Sequence, residues 1–198
     1  MPNVSNVKSK YFEPDGADND QVSTSNSLTT LVIADGGPYG NLTETITLTS
    51  SADNSGITFT IVGTDGNGDA QTETGLTGPD TETVSFTDKY ATVTSIVASG
   101  SITTQIQAGI LGTGTLTGIV FAGRTRIRGI TGTSKASAGN IVFKNTSITG
   151  TSLLTIPLTG AVSSIDPYVP DNGVLFDAGA YVNLTAADVT GVTVYYDG

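Results

Sequence analysis

The stretch ITFTIVGTDGNGDAQTE, residues 57–73, decides how the rest of the chain is read. Its first half alternates. Ile57, Phe59 and Ile61 fall on one side, Thr58 and Thr60 on the other. A period of two built from β-branched and aromatic residues marks a half-buried strand. Its second half sets Asp65, Asn67 and Asp69 at alternate positions, with Glu73 four further on. That spacing is also how a calcium loop begins. A helix-flanked calcium loop takes oxygen ligands at positions 1, 3 and 5, glycine at 6 and a bidentate glutamate at 12. Here position 6 is Ala70, position 12 is Leu76, and strand-like sequence stands on both sides. The stretch predicts a β-hairpin whose tip takes its left-handed residues from Asp-Gly and Asn-Gly. A non-helical ion site is the alternative.

The same pattern runs outward in both directions. LTETITLT (42–49) places Leu42, Glu44, Ile46 and Leu48 on one face and four threonines on the other. TETVSF (81–86), ATVTSIVA (91–98), GNIVF (139–143), SLLTIP (152–157) and GVTVYYD (191–197) read alike. Between them stand SADNSG, GTDGNGD, TGPDT and VPDNG, whose Gly, Asn and Pro suit turn geometry. No segment sustains a 3.6-residue period; TAADVT (185–190) is the best helical candidate. Many short strands at regular spacing predict an all-β chain of small β-sandwich or jelly-roll-like domains. The Gly/Thr run GILGTGTLTG (109–118) marks a boundary, giving a sandwich over residues 28–112 and a second sandwich or barrel-like domain over 113–198. Residues 1–27 are polar and poor in apolar side chains, and read as an extended N-terminal arm ordered by a partner.

Composition excludes several chemistries. The 198 residues include no Cys and no His, and the formal net charge is −10. Disulfides, thiolate sites and every Ser-His-Asp or Cys-His mechanism are thereby removed. The acidic balance argues against nucleic acid, which needs clustered Lys and Arg. No apolar run reaches the roughly 18–20 residues of a membrane span. The first residues lack the apolar core of a signal peptide. The expectation is a protein that is not an enzyme and uses no cofactor and no metal.

Candidate binding residues are therefore sought among protein-contacting groups. All three arginines lie in RTRIR, and strand alternation puts Arg124, Arg126 and Arg128 on one face, with Thr125 and Ile127 on the other. Two readings stand side by side: pairing with the chain's own carboxylates, or a docking stripe for an acidic partner surface. Lys8, Lys10, Tyr11 and Phe12 are the arm's expected partner contacts. Of Tyr195 and Tyr196, adjacent in a strand, one is expected in the core and one at the surface. Glu44 breaks an apolar face. An edge-strand charge explains it best; a paired buried carboxylate or half of a glycosidase pair has no partner visible in the sequence.

The run SGITFTIVGTDGNGDAQTET (55–74), followed by KYATVTSIVAS (89–99), resembles a β module found in virion proteins of tailed bacteriophages, marine and cyanobacterial phages in particular. AGNIVFKN (138–145), TSLLTIP (151–157), VPDNGVLF (169–176) and the closing VTVYYDG (192–198) are similar to another small module of such phages. The resemblance implies an all-β structural protein of the particle, a capsid decoration (cement) protein foremost, on the outer surface of the capsid. Its implied partners are the major capsid protein, neighbouring virion proteins and further copies of itself, with no nucleic acid and no membrane. A tail, fibre or adaptor component with a host-glycan-binding β-domain is the alternative; a depolymerase is disfavoured for want of an acid pair.

Overall fold

The computed structural model describes residues 7–198 as strands joined by turns and loops, with no helix among them. They form two compact units. Unit 1 comprises residues 7–14, Gly40–Leu42 and Gly114–Gly198; unit 2 comprises Asp15–Tyr39 and Thr43–Thr113.

Unit 1 is a sandwich of two antiparallel sheets. One runs β1 (Val7–Phe12), β16 (Val189–Asp197), β10 (Thr125–Ser134) and β13 (Ser164–Ile165), with β14 (Val174–Phe176) also paired to β10. The other runs β12 (Ser152–Thr159), β11 (Ala138–Asn145), β15 (Ala180–Thr185) and β9 (Thr115–Phe121). Alternation along each strand delivers one face to a shared core that includes Phe12, Ile127, Ile130, Phe143, Val182, Leu184, Val192 and Val194. On one flank the Lys10 ammonium of β1 donates to the Ile119 carbonyl of β9 at 2.7 Å, tying the two sheets together.

Unit 2 is built the same way. Its sheets run β2 (Asp18–Asn26), β8 (Ile106–Ile110), β3 (Glu44–Ser50), β6 (Thr83–Tyr90), and β5 (Ala70–Thr77), β4 (Thr58–Thr64), β7 (Thr92–Ala98). Phe59, Ile61, Phe86, Tyr90 and Ile96 fill the space between them. Both flanks are closed. Residues 29–36 bond first to β7, through Leu31 N–H to the Ile96 carbonyl and Ala98 N–H to the Thr29 carbonyl, and then to β2, through Ala34 N–H to the Val22 carbonyl. On the opposite flank, side chains of β5 reach the backbone of β6. Gln71 donates to the Lys89 carbonyl at 3.1 Å, and the Glu73 carboxylate accepts from Thr87 N–H and Asp88 N–H at 2.9–3.0 Å.

Residues 57–77 form the expected hairpin: β4 and β5 pair from Thr58↔Thr77 to Thr64↔Ala70. Asp65 organises its tip. One carboxylate oxygen accepts from Asn67 N–H and Asp69 N–H at 2.8 and 2.9 Å, as short polar side chains do in turns. TAADVT is a turn between β15 and β16, closed by Asp188 N–H donating to the Thr185 carbonyl.

Residues 7–27 are not a separate arm. Val7–Phe12 pairs with β16 along its whole length, and Asp18–Asn26 pairs with β8. Each segment buries little, Phe12 in one case and Val22 with Ser23 in the other. Their order comes from backbone hydrogen bonds to a ready-made strand, which a count of apolar residues does not register. The first six residues of the expected arm lie outside those described.

Candidate functional site

Three adjacent strands of unit 1 turn one face inward and leave the other uncovered by either unit-1 sheet. In β10, Thr125, Ile127 and Ile130 are buried while Arg126 and Thr131 point outward. In β16, Val192, Val194 and Tyr196 are inward, so Thr193, Tyr195 and Asp197 are outward. In β1, Phe12 is inward, so Val7, Ser9 and Tyr11 are outward. The strand registers assemble these into rows: Val7–Asp197–Arg126, Ser9–Tyr195–Gly129 and Tyr11–Thr193–Thr131. Arg128 is the extra residue of a bulge between Ile127 and Gly129, and its guanidinium lies 3.6 Å from the outward Asp197 carboxylate.

Glycine shapes this face. The Tyr11 hydroxyl occupies the space a Cβ would need at Gly191, so any side chain there would lift the ring. Tyr195 lies beside its register partner Gly129, where a Cβ would make only ordinary contact with it. The face carries Val7 at 49 % exposure, Tyr11 at 46 % and Tyr195 at 37 %, together with Arg126 and Arg128.

The arginines divide their partners unequally. Arg124, immediately before β10, is 3.7 Å from the Asp177 carboxylate, with both side chains largely in solvent. Such an exposed pair is worth about 0–1 kcal/mol. Arg126 donates to the Asn172 carbonyl at 3.1 Å and has no carboxylate within 4 Å among the described residues. It stands in a surface hollow of about 370 Å³ lined also by Arg124, Leu175, Asp197 and Gly198. Guanidinium groups with and without a carboxylate neighbour among the described residues thus coexist within five residues.

Of the residues expected to meet a partner, the structure gathers Arg126, Arg128 and Tyr11 on this face and sets Arg124 at its end. Lys8, Lys10 and Phe12 belong to the other side of β1, away from this face, and of the three only Phe12 is closed to a partner by burial. Phe12 is wholly buried. Lys8 donates to the Gly198 carbonyl at 2.6 Å and lies over the Phe121 ring. Lys10 is engaged by Ile119 and lies over the Phe12 ring, and burial lowers its pKa. Period two in VKSKYF already separates Lys8, Lys10 and Phe12 from Val7, Ser9 and Tyr11; reading the segment as an arm hid that signal.

A second polar cluster lies in unit 2. Glu44 is on β3, an interior strand between β8 and β6, which corrects its reading as an edge charge. It is wholly buried, and neither carboxylate oxygen has a hydrogen-bond partner among the described residues. Burial pushes its pKa up to about 7; the nearby Gly112 N–H and the Lys89 ammonium oppose the rise, and Asp15 adds to it. Tyr39 is raised by burial and then by the Asp35 and Glu44 charges. The Tyr90 hydroxyl, also without a hydrogen-bond partner among the described residues, has its pKa pushed up to about 12, chiefly by burial. This cluster is sealed from solvent, so it bears on stability and offers no surface to a ligand.

Comparison with known proteins brings no match to a family model, a curated protein or a solved structure.

Proposed function

We propose that the chain is a structural protein of a tailed-phage particle, a capsid decoration protein that binds the shell through the outer face of the β1–β16–β10 sheet. The observation that carries this reading is the composition of that face. Tyr and Arg dominate the energetically important positions of protein interfaces, because each combines a large contact area with a directed polar group. Here two tyrosines, one valine and two arginines share one exposed sheet face. The sheet beneath them is held by the core of unit 1, so little ordering would accompany binding.

The partner would be the major capsid protein or a neighbouring subunit presenting carboxylates opposite Arg126. Repeated copies bridging adjacent capsomers would lower the free energy of the closed shell, a mechanical task that needs no reacting group. The resemblance of residues 55–99 and 138–198 to phage virion modules supports the same reading. Cryo-electron microscopy of the parent particle tests it. The expected result is many copies on the head lattice, with this face against the shell. A few copies confined to the tail would overturn it.

A further inference from the structure

The second sheet of unit 1 carries a groove of different character. Ile141, Phe143, Val182 and Leu184 enter the core, so Asn140, Val142, Lys144, Asn183 and Thr185 face the other way. With Asp188 they line a groove of about 550 Å³, within the ~300–1,000 Å³ range of small-molecule sites. From Gly139 to Lys144 it follows β11 for about 17 Å at ~3.3 Å per residue.

One end is built around Asp188, which is only 5 % exposed. The Ser137 hydroxyl donates to its Oδ1 at 2.6 Å. Its backbone is fixed on both sides: its N–H donates to the Thr185 carbonyl at 2.9 Å, and its carbonyl accepts from Lys135 N–H at 2.7 Å. Oδ2 receives no hydrogen bond from a described residue. It stands over Gly139, where a Cβ would run into it, so glycine at this position keeps the oxygen clear. A carboxylate held this firmly, with one oxygen unused, is a positioned acceptor. At the other end Lys144 is half-buried, and no acceptor for its ammonium is found among the described residues.

The groove's chemistry selects its ligand. A peptide recognised by strand addition needs an unpaired sheet edge. β11 and β15 are interior strands, and β11 is unpaired toward β15 only over residues 138–141, an opening too short for an added strand. Nucleic acid needs clustered cations, and here one lysine is matched by one aspartate. What remains is a line of carboxylate, amide, hydroxyl and ammonium groups beside the apolar Val142. Hydroxyl groups of a ligand both donate and accept, and such a line satisfies both roles. We propose that this groove binds a linear neutral oligosaccharide, with Asp188 Oδ2 accepting hydroxyl protons at one end and the Lys144 ammonium donating to oxygens at the other.

The inference stands apart from the docking face, which lies on the other sheet. Nitrogen-15-labelled full-length protein titrated with maltotriose, cellotriose and chitotriose to millimolar concentration tests it. At least one trisaccharide should give saturable amide shifts clustered at residues 138–144 and 183–188. Lys144→Ala and Asp188→Asn should each weaken that binding about tenfold, the effect of losing one charged hydrogen bond. The Lys144 ammonium makes no hydrogen bond or ion pair with a described residue, so its variant should melt as the parent does. Absence of saturable shifts with all three sugars, shifts clustered elsewhere, or unchanged affinity in Lys144→Ala would overturn the proposal.

Discussion

In unit 2, with exceptions such as the buried Glu44 and Tyr90, polar side chains are turned on the chain itself. Asp65 ties its own turn, and Glu73 and Gln71 close the flank between β5 and β6. Asn54, buried near β3, accepts from Thr103 N–H and donates to the Ser50 hydroxyl. Unit 1 has the same sandwich construction and a core of similar make-up, yet leaves polar groups uncommitted. Arg126 has no carboxylate, Asp188 Oδ2 no donor and Lys144 no acceptor among the described residues. Two tyrosines lie on the outside of one sheet. Since folding favours satisfied polar groups, exposed polar groups that the fold does not use are the ones left for binding, and those named here belong to unit 1.

The two faces of β1 give the sharpest way to break this distinction. Phe12→Ala should destabilise unit 1 by about 3–5 kcal/mol, as removal of a buried aromatic ring does. Tyr11→Ala, one residue earlier and on the outer face, should cost well under a third of that. Urea titrations of the two variants measure both. Equal losses would mean that β1 does not present two different faces.

Glu44 tests the opposite feature of unit 2, a polar group buried without a partner. Its folded pKa, about 7, lies above the ordinary 4.5, so the folded state holds its proton more tightly than the unfolded state. The stability this confers is complete below pH 4.5 and is lost as pH rises through about 7, a change of about 3 kcal/mol. Glu44→Gln removes the ionisation. The variant should be the more stable above pH 7, with the advantage vanishing near pH 4.5. A difference between the two proteins that stays constant across that range would show that Glu44 titrates normally.

Glu73→Ala should have a smaller effect, about 2 kcal/mol, because the Thr87 and Asp88 N–H groups then lose a charged acceptor but can turn to water. Hydrogen exchange at those two amides should accelerate in the variant. Unchanged protection would assign closure of that flank to packing alone.

Much of this was legible from local pattern. Alternation in residues 57–73, with Ala70 and Leu76 where a calcium loop needs glycine and glutamate, specified the β4–β5 hairpin. The same rule separated Tyr195 from Tyr196 and Thr125 from Arg126. What escaped depends on partners distant in the chain. β1 is a strand because β16 lies beside it, and nothing in VKSKYF announces residues 189–197. Glu44 looked like an edge charge because strand order is a property of the whole sheet; only the placement of β8 and β6 shows that β3 is interior. The groove around Asp188 was hidden for the same reason, since it joins residues 139–144 to a turn more than forty positions later.

The outer face of the β1–β16–β10 sheet carries the proposed contact with the particle. The decisive measurement compares particle binding and melting temperature in the triple variant Tyr11→Ala, Tyr195→Ala, Arg126→Ala. Co-sedimentation with the parent particle should fall by at least about a hundredfold in affinity, the size expected when several anchors of one interface are removed, while the melting temperature moves by only a few degrees. Undiminished co-sedimentation, or a collapse of the melting temperature that accounts for the lost binding, would contradict the assignment of this face to a partner.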